Sequence, residues 1–209
     1  MCIRDRNALD ILADATVVPV VVINDPGRAV ELANTLLSAG INAIEVTLRT
    51  PGALEAIKLI AEQVPNILVG AGSVRTARHF DEIASVGASF AVSPGSSETL
   101  IRCAKDLAMP YVPGAATATE NIYLLEQGYQ LQKFFPAELN GGTAMLKALS
   151  SPLPEVRFFP TGGVTAESAA SYLQLSCVHC IGGTWIATPE LIEQGRFDTI
   201  ERLARAAIS

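Results

Sequence analysis

Thr16-Val17-Val18-Pro19-Val20-Val21-Val22-Ile23, then Arg28-Ala29-Val30-Glu31-Leu32-Ala33-Asn34-Thr35-Leu36-Leu37 closed by Gly40, then Ala43-Ile44-Glu45-Val46-Thr47-Leu48: this stretch decides the fold. An apolar run rich in β-branched residues reads as a buried strand. The amphipathic segment behind it reads as a helix, and a glycine beyond its end is a stop signal. A second apolar run follows, so the stretch is one strand–helix–strand unit. The unit then repeats. Ile67–Gly70, Ser89–Ser93, Pro110–Val112, Leu131–Phe135, Val156–Pro160 and Val178–Ile181 are further apolar runs, spaced by roughly two dozen residues, the length of one β-loop-α-loop unit. Helical segments begin at Ser97-Glu98-Thr99-Leu100-Ile101 and at Thr119-Glu120-Asn121-Ile122. Eight such units predict a (β/α)8 TIM barrel formed as one compact domain over residues 1–209. An open doubly wound sheet is the alternative, but no G-x-G-x-x-G follows the first run.

The bulk composition narrows the function. The chain has 209 residues and a net charge of -6, which keeps it soluble and argues against a nucleic-acid partner. No segment approaches the roughly 18 apolar residues of a membrane span. Residues 1–6 are charged and precede no apolar core, so they do not read as a secretory signal, and they carry no functional pattern. Of four cysteines, Cys177 and Cys180 form a C-x-x-C. In a strand, residues three apart point to opposite faces, and no second Cys/His cluster completes a zinc site. Buried thiols in a reducing cytoplasm are the simpler reading. His79 and His179 have no ligand pattern beside them and read as structural or surface residues.

Three features carry chemistry. The first is Leu131-Gln132-Lys133-Phe134-Phe135-Pro136, a lysine among aromatics with no acidic residue within three positions. Desolvation there disfavours the ammonium, and a neutral amine can attack a ketone to form an imine. An outward lysine snorkelling at a strand end stays open. The second is Glu45, Thr47 and Arg49, which share a face at strand spacing. If Ile44, Val46 and Leu48 face the helices, all three face the barrel axis. Glu45 can then move protons, and Arg49 can hold a carboxylate. The alternative is a structural Glu45–Arg49 pair. The third is Thr161-Gly162-Gly163 after the seventh run and Gly182-Gly183-Thr184 after the eighth. Glycines let amides approach an anion, and loops after strands seven and eight are the usual phosphate site of a barrel. Either Gly-Gly alone reads equally as a tight turn. Together these groups fit a 2-keto acid with a terminal phosphate.

The chain resembles the aldolases of 2-keto-3-deoxy-6-phosphogluconate (KDPG), which also often accept 4-hydroxy-2-oxoglutarate (KHG). The resemblance runs from about Asn7 to the C-terminus. It is carried by Val17-Val18-Pro19-Val20, Ile44-Glu45-Val46-Thr47-Leu48-Arg49, Gly70-Ala71-Gly72-Ser73-Val74, Ser93-Pro94-Gly95, Lys133-Phe134-Phe135-Pro136-Ala137-Glu138, Pro160-Thr161-Gly162-Gly163 and Ile181-Gly182-Gly183-Thr184-Trp185. It implies that Lys133 forms the imine and that Glu45 shuttles protons. It implies that Arg49 and the Ser73 hydroxyl bind the pyruvate carboxylate, with Pro94 and Phe135 lining the substrate. Gly162, Gly163, Gly182, Gly183 and Thr184 become the phosphate end. It further implies a cytoplasmic homotrimer of the Entner–Doudoroff pathway. Position 73 is commonly Thr in that family and position 184 commonly Ser; both keep a hydroxyl here.

On this reading no metal or other cofactor is needed, because the iminium supplies the polarisation a cation would give. Loss of Lys133 is expected to abolish cleavage and leave the fold intact. Thr161 is expected to bond the substrate near C4 and so to select KDPG over its C4 epimer, the phosphogalactonate compound, unless it only closes a turn. The rival from another class is a non-covalent barrel, an isomerase or sugar-phosphate binder. It would keep both Gly-Gly pairs and have no use for a buried Lys133.

Overall fold

The computed structural model describes residues 7–209; the readings of Cys2 and of residues 1–6 lie outside them. Parallel strands β1 (Val17–Val21), β2 (Ala43–Thr47), β3 (Leu68–Gly72), β4 (Phe90–Val92) and β5 (Tyr111–Val112) pair in sequence order. Strands β6 (Gly114–Ala115), β7 (Leu131–Phe134) and β8 (Arg157–Pro160) continue the wall, and β9 (Ile181–Gly183) lies against β1. The fifth apolar run ends with β5, and Pro113 separates it from β6; the Pro113 carbonyl still accepts from Lys133 N–H at 2.8 Å. The wall closes where Thr161 bridges Gly182 and Phe158 bridges Val178. The expected (β/α)8 barrel is therefore present.

Several boundaries differ from the sequence reading, and two of the differences have a clear local cause. The first run shortens at both ends, because Asn24-Asp25-Pro26 turns the chain away and Asp25 caps a short 3-10 turn. The eighth run slides: Val178 makes only a bridge, and the strand itself is Ile181–Gly183, paired with Val17, Val18 and Pro19. Glycine lacks the branched side chain by which strands are read, so the sequence placed this strand too early.

Helices cover the outside. α1 (Ala8–Ile11) precedes the barrel; α2 (Ala29–Ser38) packs against α3 (Ala53–Gln63), and α3 packs on β2 and β3. Next come α4 (Ala77–Ser85), α5 (Glu98–Asp106), α6 (Ala118–Glu126), α7 (Gly142–Ser150), α8 (Ala166–Leu173), α9 (Pro189–Glu193) and α10 (Phe197–Ile208), which packs on α2. Hydroxyl caps set several starts: Thr76 for α4, Ser97 for α5, and Thr117 and Thr165 in capping boxes for α6 and α8. Among the described residues no helix is long and apolar enough to cross a membrane.

Period-two alternation divides each strand between two cores. Ile44, Val46, Val69, Phe134 and Phe158 join the helices outside. Val18, Ala43, Phe90, Val92, Val112, Leu131, Phe159 and Cys180 fill the interior. The bottom of the barrel is plugged by α1 and the turn after it, through Ala8, Leu12 and Ala15. His179 fixes that plug, its Nε2 being 2.9 Å from the Leu12 carbonyl. Cys177 belongs to the outer core and Cys180 to the inner one, so the two thiols of the C-x-x-C do not face a common site.

Gly70 shows how tightly the interior is filled: a Cβ there would overlap the Phe90 ring. Gly70→Ala is expected to cost about 1–3 kcal/mol, the usual scale of core overpacking. A lower urea midpoint at unchanged slope checks this.

Candidate active site

At the mouth end of the interior, β7 and β2 bring together two charged groups 88 residues apart in sequence. Lys133 Nζ lies 3.2 Å from Glu45 Oε1, with side chains 5% and 1% exposed. The sequence showed no acid near Lys133; the barrel supplies one from across the axis. The snorkelling alternative for Lys133 and the Glu45–Arg49 pair both fall away, since Lys133 points inward and Glu45 pairs with it. Glu45 Oε2 is buried with no hydrogen-bond partner. Gly72 makes room for this carboxylate, because a Cβ at position 72 would overlap it. The Cys180 thiol lies deeper. Burial first, and then the Glu45 charge, push it well above its ordinary range, so it stays protonated and does not compete as a nucleophile.

Thr47 also points inward, but its hydroxyl is spent on the Val21 carbonyl at 2.9 Å. Arg49 reaches the mouth differently from the strand alternation expected of it. β2 ends at Thr47, and Arg49 N–H turns back onto the Thr47 carbonyl at 2.8 Å. Its guanidinium Nε donates to Ser73 Oγ at 3.0 Å. Ser73 directly follows β3 and has φ 59°, a left-handed backbone that costs free energy for a residue with a side chain. Arg49, Ser73, Pro94 and Phe135 line one open cavity of about 430 Å³, together with Leu48 and Arg75. Lys133 Nζ lies 5.4 Å from the centre of the Phe135 ring, so the cavity borders the amine.

Pro94 is placed by a buried cluster. Ser93 Oγ contacts Tyr111 Oη at 2.6 Å and accepts from Gly114 N–H at 3.3 Å. Gly114 is the register partner of Lys133. Burial pushes the Tyr111 phenol far up, so it remains a neutral hydroxyl.

The two Gly-Gly pairs separate in role. Gly162 and Gly163 form a loop with φ 97° and 82°. Ala137 N–H donates to the Thr161 carbonyl at 2.9 Å and Glu138 N–H to the Gly162 carbonyl at 3.1 Å. In a trans peptide the carbonyl and the next N–H point in opposite directions. The amides of Gly162 and Gly163 therefore point away from the Ala137–Glu138 segment, and among the described residues neither donates to a backbone acceptor. Successive free amides of this kind suit an anion. Gly182 and Gly183 are not a loop: they end β9. A Cβ on Gly182 would overlap the Thr161 hydroxyl, and one on Gly183 the Trp185 ring. Here the missing side chains serve barrel closure, and exposed Thr184 follows. Thr161 is 3% exposed, and its Oγ1 is buried without a partner.

Arg75, Tyr111 and Tyr172 were not singled out from sequence, and Cys180 only as half of the C-x-x-C. Only Arg75 carried a local signal, a cation two positions after Ser73. Among the described residues no three His, Cys, Asp or Glu side chains gather as a metal site.

The fold and the buried amine–carboxylate pair together define an aldolase barrel. Comparison with known proteins narrows this. The sequence profile described as KDPG and KHG aldolase matches residues 9–203. The 2-dehydro-3-deoxy-phosphogluconate aldolase of Dickeya dadantii is 42% identical over 203 residues, covering 97% of this chain and 95% of its own. The KHG/KDPG aldolase of Escherichia coli strain K12 is 42% identical over 202 residues, again 97% and 95%. The crystal structure of KDPG aldolase from Legionella pneumophila, with pyruvate captured at low pH as a covalent carbinolamine intermediate, superposes with a TM-score of 0.94. It is 39% identical and covers 97% of this chain and 98% of its own. The chain belongs to the KDPG and KHG aldolase family and is a carbon–carbon lyase.

The pair geometry changes one expectation. Removing Lys133 strands Glu45 as a buried unpaired charge, so the fold should not be indifferent to it. Lys133→Met is expected to cost about 3–5 kcal/mol of stability, most of it recovered when Glu45→Gln is added. A double-mutant cycle by urea unfolding checks this.

Proposed function

We propose that this protein cleaves KDPG to pyruvate and glyceraldehyde 3-phosphate through an imine on Lys133, and KHG to pyruvate and glyoxylate by the same route. The observation that carries the reading is the Lys133 amine 3.2 Å from Glu45 beneath a mouth lined by Arg49 and Ser73. The Legionella relative captured with pyruvate as a covalent carbinolamine supports it.

The steps follow from the pair. Lys133 begins as an ammonium beside a carboxylate, and proton transfer to Glu45 over hydrogen-bond distance frees the amine. The amine attacks C2 of the keto acid. Glu45 returns its proton to the departing hydroxyl, water leaves, and an iminium remains. Arg49, oriented by Ser73, holds the carboxylate at C1. The regenerated carboxylate then takes the proton of the C4 hydroxyl, and Oε2 has a lone pair free for it. The C3–C4 bond breaks, its electrons moving to the iminium nitrogen to give an enamine. Glyceraldehyde 3-phosphate departs. Glu45 protonates C3, and water hydrolyses the iminium to pyruvate and free Lys133.

The Gly162–Gly163 amides are assigned to the phosphate, with Gly182, Gly183 and Thr184 closing the same end. Pro94 and Phe135 flank the keto acid. The same reading includes residues 1–209 as one domain, a homotrimer, a cytoplasmic location and a place in the Entner–Doudoroff pathway, as the family relationship supports.

Borohydride reduction in the presence of pyruvate is expected to fix a pyruvate-derived mass on Lys133. Modification of any other lysine, or none, would overturn the reading and favour a non-covalent sugar-phosphate barrel. Thr161 is assigned the choice of epimer, because a buried hydroxyl without a partner suits a substrate hydroxyl. Thr161→Val should lower kcat/KM for KDPG more than for its C4 epimer. An unchanged ratio of the two constants removes that role.

A further inference from the structure

Glu138 lies just beyond the lysine strand and is used nowhere in the chemistry above, yet three segments of the mouth converge on its side chain. Its carboxylate Oε1 accepts from Tyr172 Oη at 2.5 Å, in a contact between segments 34 residues apart. Tyr172 is fully buried on α8, the helix that directly follows the Gly162–Gly163 loop. The Glu138 stem lies under that loop: a Cβ on Gly163 would be 2.7 Å from both its Cβ and its Cγ. Gly142, with φ 55°, admits the pair from the third side, since a Cβ there would be 3.2 Å from the Tyr172 oxygen. The backbone of Glu138 meanwhile holds the Gly162 carbonyl down.

A partly exposed carboxylate beside an anion site is not there to attract the anion. It is tied to a buried phenol instead, and the tie runs from the loop's floor to the helix leaving the loop. Burial, then the Glu138 hydrogen bond and charge, hold the Tyr172 phenol far above its ordinary range, so it stays a donor at any working pH.

We propose that Glu138, locked by Tyr172, is a positioning residue for the phosphate end of the substrate, fixing the loop so that the Gly162 and Gly163 amides are presented together. The inference rests on the phosphate reading of that loop. It touches neither Lys133 nor the keto-acid end.

The test is the ratio of KM for KDPG to KM for KHG, which bears no phosphate, with inorganic phosphate as a competitive inhibitor. Glu138→Ala is expected to raise the ratio about tenfold, the scale of one hydrogen bond to a charged group. The inhibition constant of phosphate should rise in parallel, while kcat on KDPG changes far less. Tyr172→Phe should do the same, and the double variant should be no worse than Glu138→Ala, because the two act as one unit. Glu138→Gln keeps an oxygen for the Tyr172 hydroxyl and should restore the ratio. Equal losses on both substrates, or additive effects, would overturn the proposal. Gly162→Ala distinguishes the two levels. If it raises the ratio and Glu138→Ala does not, only the positioning role fails. If neither does, the phosphate reading of the loop fails with it.

Discussion

A charged pair inside an apolar barrel is the constraint around which the rest is arranged. Lys133 and Glu45 together replace water with each other across 3.2 Å. Neither would be tolerated alone at that depth, because an unpaired buried charge costs several kcal/mol. Position 72 accordingly has no side chain where the carboxylate needs space. The same constraint would serve the proposed chemistry. Two groups that can exchange a proton are already within transfer distance before any substrate arrives, so little reorganisation is required.

Around this centre the polar groups follow a division of labour between side chains and backbone. In the proposed reaction the keto-acid end would be met by side chains, Arg49 and Ser73, at the ends of β2 and β3. The opposite end would be met by main chain, in the loop after β8. Backbone amides cannot be aimed by choosing a rotamer. They must be aimed by whatever holds the neighbouring carbonyls, which is why the segment after β7 is bonded so closely to the loop after β8.

The fold was legible because most strands are short apolar runs and most helices amphipathic segments, several of them with a hydroxyl cap at the start. It failed to be legible where the residue type carries no such signature. Gly182 and Gly183 look like a loop in sequence and are the last strand of the wall. Arg49 looks like a continuation of strand alternation and is reached by a turn. The site was half legible. Lys133 and Glu45 stand out because charge inside an apolar run is costly, but their partnership spans 88 residues and only closure of the barrel reveals it. Tyr172 carried no signal at all, since a tyrosine on an amphipathic helix is ordinary and its partner lies in the preceding unit.

The plug beneath the barrel has a kinetic meaning. With Leu12 and its neighbours filling the floor, and His179 pinning them there, the interior is a vessel with one opening. Whatever binds deepest enters first and leaves last. In the proposed reaction the pyruvate half stays bonded to Lys133 when the C3–C4 bond breaks, while the aldehyde half is free. Release through the single opening is then ordered: the aldehyde leaves by the mouth before hydrolysis frees pyruvate to follow. In the synthetic direction the order reverses, and the three-carbon acid has to be loaded before the aldehyde is admitted.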